Sequence, residues 1–151
     1  MLSSLGQDLL GRGPMQPDTI EQVMSAFSAV PGCGYADNLK PRTFPHGFDV
    51  QVASRAALEA ADAEARELAQ REHVMPFIIA RPDRFHVAHI TAAHNHADLR
   101  LTLDYPEDLT LIRAIYERLY PGKSDFNLRD VLELRRREPS LFELNRGRVE
   151  F

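Results

Sequence analysis

The run Arg100-Leu101-Thr102-Leu103-Asp104-Tyr105-Pro106-Glu107-Asp108-Leu109 gathers one guanidinium and three carboxylates within ten residues. Leu101 and Leu103 alternate with Arg100 and Thr102 as the residues of a strand do. Pro106 suits the first turn of a helix, where its missing N–H leaves nothing unsatisfied. Asp104 therefore stands at a strand-to-helix junction, and two kinds of chemistry are open to it. It can cap the helix, with Glu107 three residues on completing a capping box. Alternatively, its carboxylate leaves the carboxyl edge of a sheet, where α/β folds seat ligands, and holds a cation such as Mg²⁺, which one or two carboxylates commonly bind.

Other segments carry groups of similar promise. Arg71-Glu72-His73, just before Val74-Met75-Pro76-Phe77-Ile78, offers a cation, an acid and an imidazole within one turn. It is either a ligand-binding corner or a helix end whose Arg71 and His73 complement the dipole. Arg42-Thr43-Phe44-Pro45-His46-Gly47 is either a turn before a strand or a loop whose Arg42 meets an anion. His86, His89, His94 and His96 form a histidine cluster, but no cysteine lies near it and its polar loop reads as solvated rather than as a zinc site. The sequence holds no Walker loop, no GxGxxG and no nucleophile elbow.

These residues need elements to position them. A chain of 151 residues, 44% of them hydrophobic, can bury one core, so residues 17–151 are expected to form a single α/β domain after an irregular segment over 1–16. Asp18 is placed to cap a helix carrying Ile20, Val23, Met24 and Phe27, which Pro31 and Gly32 end, and a short strand near Tyr35 follows. Phe48, Val50 and Val52 alternate with Asp49 and Gln51, which predicts a strand with Asp49 and Gln51 on one face. Ser54 should cap a long helix reaching Gln70, striped by Ala57, Leu58, Ala61, Ala65 and Leu68.

A strand over Arg84 to Ile90, a polar loop from Thr91 to Ala97 and a strand around Leu101 come next. Leu109, Ile112, Ile115, Tyr116 and Leu119 then recur at helical spacing as far as Pro121 and Gly122. Leu128, Val131, Leu132 and Leu134 predict one more helix, with an irregular segment over Pro139 to Asn145. Strands alternating with helices mean α/β.

Charge and cysteine usage narrow the setting. A net charge of -4, from 18 basic and 22 acidic residues, gives no electrostatic case for nucleic acid, and Arg135-Arg136-Arg137 reads as a solvated helix face. Cys33 is the single cysteine, so no internal disulfide forms and a reducing cytoplasm is the expected location. Met1 to Leu10 has neither a basic start nor a long apolar run, so neither export nor a membrane anchor is expected.

Taken in order, Arg42-Thr43-Phe44-Pro45 with Gly47, Asp49 and Val52, then Arg71-Glu72-His73-Val74 with Pro76, then the Arg100 to Leu109 run, resemble one family. It is the cytidylyltransferase family of the spore-coat polysaccharide type, related to the CMP-Kdo and CMP-acylneuraminate synthetases. The resemblance covers roughly Pro17 to Asn145 and corresponds to the family's C-terminal half. It implies a partial Rossmann-like sheet of the nucleotide-diphospho-sugar transferase kind with flanking helices, and a sugar or CMP-sugar ligand. The implied reaction is attack by the sugar on the α-phosphate of CTP, with release of pyrophosphate. By resemblance Arg42, Asp49, Arg71 and His73 bind substrate, and Asp104 matches the second of two metal-binding aspartates that hold Mg²⁺.

The chain also departs from that pattern. The family's opening strand and basic, glycine-containing phosphate loop have no counterpart, and its Gly-Asp-Cys-Pro-like motif is matched best by Gly11-Arg12-Gly13-Pro14. Gln51 stands where the family usually has Glu, Met75 where it has Thr and Phe77 where it has Tyr. The expectation is a sugar-side half that does not transfer cytidylyl groups alone and works as a homodimer or with a complementing subunit. Two further expectations stand beside it: an interaction module pairing through an exposed sheet edge, and one piece of a longer enzyme.

Overall fold

The computed structural model describes residues 19–148. The expected irregular segment over 1–16, the Asp18 cap and the Gly11-Arg12-Gly13-Pro14 stretch lie outside the described residues. Where composition favoured one domain, contacts group the described chain into two compact units: 19–44 with Asp49–Asn95, and Pro45–Phe48 with 96–148.

The first unit is built on a three-stranded sheet in the order β2-β1-β3. Strand β1, Cys33–Asp37, is buried at all of its residues and lies in the centre. It pairs antiparallel with β2, Gln51–Ala53, and parallel with β3, His86–His89. The strand over Phe48 to Val52 is thus shorter and later than its alternation predicted. Register matters most here, because it sets Asp37 opposite Gln51 on one side and His89 on the other. Side chains of paired residues share a face, as do residues two apart on one strand, so Tyr35, Asp37, Gln51 and His89 fall together.

Helices cover both faces of this sheet. Helix α1, Thr19–Ala29, buries Val23 against a cluster with Cys33 and Ala36, partly covered by Phe27, Val50, Val52 and Ala88. Ile20 and Met24, expected on its apolar face, are 55% and 46% exposed. On the other face Tyr35 packs with Phe77, Ile78, Phe85 and the alanines of α2, Arg55–Glu64. Ser54 caps α2 as expected, its hydroxyl accepting from the Ala57 amide at 3.1 Å.

That helix does not run on to Gln70. It ends at Ala65, whose backbone is extended, and α3, Leu68–His73, begins afresh, leaving Leu68 82% exposed. Ala57, Ala61 and Ala65 are buried because small residues let α2 approach closely, while Leu58 and Leu68, predicted beside them, stay outside. Helix α4, Met75–Ile79, follows directly and buries Phe77 and Ile78.

The second unit is mainly helical. Helix α5, Pro106–Leu119, starts with Pro106 as predicted, and α6 is Leu128–Arg137. Their buried residues Leu111, Ile115, Val131 and Leu134 form a core with Leu99, Leu141 and Phe142, the last two from a 3₁₀ turn over Pro139–Glu143. The strand expected around Leu101 is absent. Arg100 makes a single parallel bridge with His46, through His46 N to Leu99 O at 2.9 Å and Leu101 N to His46 O at 2.8 Å. Leu103 is 60% exposed, so its alternation with Leu101 does not mark a buried sheet face. Among the described residues no helix is long and apolar enough to cross a membrane.

Gly47 makes the bridge at His46 possible. Its φ is 99°, and a Cβ there would lie 2.7 Å from the Leu101 carbonyl oxygen. Gly47→Ala is therefore expected to destabilise the protein by about 1–3 kcal/mol, the scale of one strained backbone position. Gly147, whose added Cβ would meet nothing within 4 Å, serves as the control, and its alanine variant should stay within about 0.5 kcal/mol of the parent in urea unfolding.

Candidate functional site

Asp104 is the acid that its place before Pro106 singles out, but the geometry of the second unit centres on Asp108. Tyr105, not Asp104, holds the N-cap position of α5, with extended backbone at φ -123° and ψ 158°. The acid that reaches back is Asp108 rather than Glu107, and its Oδ2 accepts the backbone N–H groups of Asp104 and Tyr105, each at 3.1 Å. The run offered two acids near the third helical position, and the one that turns inward takes the amides.

Asp108 is fully buried and holds further donors. Arg100 Nε lies 3.1 and 3.2 Å from its two oxygens, Arg100 Nη2 lies 3.1 Å from Oδ2, and Asn145 Nδ2 donates to Oδ1 at 2.7 Å. Burial pushes the Asp108 carboxyl up, but the hydrogen bonds from Arg100, Asn145 and the two amides outweigh it and hold the group well below the usual carboxylate range. Asn145 also donates to the Arg100 carbonyl at 3.1 Å. No periodicity marked Asn145, because its role appears only once the segment after α6 folds back.

Asp104 occupies a different environment. It is 62% exposed, and its Oδ2 receives Arg100 Nη2 at 2.5 Å. Its side chain is open to solvent, so it is the acid of the run that could reach a cation such as Mg²⁺, in exchange for its pairing with Arg100. Asp108 is not a second ligand, because its oxygens are taken by donors. Among the described residues no group of three or more His, Cys, Asp or Glu side chains is arranged to hold a metal.

In the first unit the structure brings two predicted residues together. Arg42 and Asp49 form a two-pronged pair, Nη1 to Oδ1 at 2.5 Å and Nη2 to Oδ2 at 3.3 Å, both side chains partly exposed. Such a pair presents a cation and an anion side by side. Arg71 sits elsewhere, at the end of α3, donating to the Asp62 carbonyl at 2.8 Å and to Oδ1 at 3.3 Å. With Leu58, Ala61, Asp62, Gln70 and Val74 it lines an open cavity of about 190 Å³. His73 is exposed in the same last turn.

Val74 follows at φ 46° and ψ -56°, a conformation rarely held by a β-branched residue. It joins α3 to α4 within the motif picked out by sequence, and backbone strain of this kind persists only where the surroundings enforce it. Nothing in the residue order announced it.

A third constellation forms around Asp37, which nothing in the sequence singled out. Asp37, 1% exposed at the end of β1, accepts the Tyr35 hydroxyl at 2.7 Å, the Leu39 amide at 3.0 Å and His89 Nδ1 at 2.6 Å. Gln51 Nε2 donates to the Tyr35 oxygen at 2.8 Å. Burial, then the Asp37 contact, pushes the Tyr35 hydroxyl well above its ordinary pKa, so it stays a proton donor. Asn38, fully buried beside Asp37, accepts the Val50 amide at 2.9 Å and ties the loop before β2 to the sheet. Of the remaining histidines in the predicted cluster, His86 Nδ1 lies 3.0 Å from the Pro31 carbonyl and His94 is exposed.

The chain is similar in fold to the solved structure of a cytidylyltransferase from Leptospira borgpetersenii serovar Hardjo-bovis (strain JB197). The TM-score is 0.72 and the identity 23%, over 81% of this chain and 51% of that one. The chain thus spans about half the length of the structure it matches. No family model matches it, and no curated protein does.

The two acids of the α5 entry predict opposite behaviour. Asp108→Asn breaks a buried ion pair and should destabilise the protein by about 3–5 kcal/mol in urea unfolding, whereas Asp104→Asn, at an exposed pair, should change stability by less than about 1 kcal/mol. The folded-state pKa of Asp108 lies below its unfolded value, so its contribution is complete above about pH 4 and declines as pH falls below that. Unfolding midpoints across acid pH should show this loss in the parent and not in Asp108→Asn.

Proposed function

We propose that this chain is the sugar-side portion of a cytidylyltransferase of the spore-coat polysaccharide type, corresponding to the C-terminal half of such an enzyme, and that it does not transfer cytidylyl groups by itself. One observation carries the reading: the fold matches a solved cytidylyltransferase at a TM-score of 0.72 while spanning 51% of that chain. The three motifs quoted above point the same way. In this reading Arg42 and Asp49 bind the carboxylate and hydroxyls of a sugar acid, or of its CMP-linked form, and Arg71 and His73 form a further part of the sugar-side surface. Asp104 supplies one carboxylate to a Mg²⁺ ion that arrives with nucleotide phosphates. That ion would neutralise the charge developing on the phosphate during transfer.

Calorimetry with a sugar acid, with CTP and with Mg²⁺ tests it. The expected outcome is heat from the sugar acid and none from CTP with Mg²⁺, and binding of CTP by the isolated chain would rule out the half-enzyme reading. Arg42→Gln removes a charge-assisted hydrogen bond of about 1.5–3 kcal/mol and should weaken sugar-acid binding by roughly tenfold or more.

A second reading rests on β3. Among the described residues it is an edge strand of a sheet covered on both faces, with Val87 packed on one face and Ala88 on the other. An interaction module would pair another strand there, with a copy of itself or with a complementing subunit. Sedimentation of the full chain should then give a dimer, and a strict monomer at high concentration would count against this reading.

A further inference from the structure

The bonds around Asp37 have a fixed polarity. An amide nitrogen only donates, so Gln51 Nε2 donates to the Tyr35 oxygen and the Tyr35 proton passes to Asp37 Oδ2. The other oxygen, Oδ1, accepts the Leu39 N–H and lies 2.6 Å from His89 Nδ1. A carboxylate can only accept, so Nδ1 carries the proton and donates it. In the neutral ring Nε2 is then left with a bare lone pair.

Satisfying the buried acid does not account for the imidazole. Tyr35 and the Leu39 amide already give each oxygen of Asp37 a donor. What His89 gains is orientation: the ring is anchored to a carboxylate 1% exposed while its own side chain remains 34% exposed. A surface imidazole whose tautomer is set by a buried acid is the arrangement of a positioned proton acceptor. Parallel register also puts it at the carboxyl end of β3 beside that of β1, the edge where open α/β sheets seat ligands.

We infer that His89 Nε2 is a binding site for a hydroxyl group of a polyhydroxylated ligand, accepting its proton in a hydrogen bond, with Asp37 and Tyr35 as positioning residues. The ligand class rests on the sugar-side reading, whereas the acceptor itself rests on the hydrogen-bond polarity alone.

The test uses the full chain with ¹⁵N-labelled histidine, N-acetylneuraminate as the sugar-acid probe and D-glucose as a neutral control. Ring spectra should show His89 protonated at Nδ1, and the sugar acid should move its Nε2 resonance. Diethyl pyrocarbonate should modify His89 faster than the exposed His73, and the sugar acid should slow that reaction. Removing the orienting acid with Asp37→Asn should cut the His89 rate roughly tenfold or more relative to His73. Tyr35→Phe, which keeps the carboxylate and most of the buried ring, provides a second variant and should cut it less.

A sugar acid that gives heat with the parent and less with Arg42→Gln, but leaves the His89 resonance unmoved, would overturn this inference while leaving the sugar-side reading intact. If the sugar acid perturbs nothing, the sugar-side reading fails, and the modification rates decide: His89 no faster than His73 overturns the acceptor too, and a faster His89 upholds it for another hydroxyl ligand.

Discussion

A carboxylate sealed from water must find in the protein the donors that water supplied, and Asp108 does so at the entry to α5. Its partners come from three places in the chain: Arg100 before the helix, the amides of Asp104 and Tyr105 at its first turn, and Asn145 after α6. Removing any of them leaves buried charge short of a donor. This requirement orders the second unit. It sets where α5 begins, holds the bridge segment by the Arg100 side chain and fixes the segment after α6 through Asn145. The apolar core of Leu111, Ile115, Val131 and Leu134 supplies the driving force, but it is nondirectional.

The first unit applies the same rule at Asp37, with a different outcome. There the donors are a tyrosine, an amide and a histidine, and the histidine keeps part of its ring in solvent. Asp108 is closed on every side and reads as architecture. Asp37 is closed on all sides except through His89, which makes it the better candidate for chemistry. The distinction lies in the partner's exposure, not in the acid, since both carboxylates are essentially inaccessible.

The functional reading follows from what each charged group is left to do. Arg42 and Asp49 pair at a partly exposed position, which leaves both charges within reach of solvent. Asp104 is the acid of its run that remains outward, because Asp108 takes the inward place. The fold is similar to that of a solved cytidylyltransferase over about half of that chain's length, and a shared fold does not by itself carry an activity.

Sequence alone determined the α/β class, the Ser54 cap, the start of α5 at Pro106, and a strand near Tyr35 and another within Arg84 to Ile90. These are local matters: capping, proline at a helix start and hydrophobic alternation act over a few residues. Tertiary structure alone decided that Leu101 to Leu103 form no strand, that the helix after Ser54 breaks at Ala65, and that Asp108 rather than Asp104 or Glu107 holds the α5 entry. It alone joined Tyr35, Asp37, Gln51 and His89, which lie up to 54 positions apart. Alternation shows that a segment could be a strand, but only a neighbouring strand with free hydrogen-bonding groups makes it one. Likewise residue type shows that an acid can accept, but only burial decides which acid must.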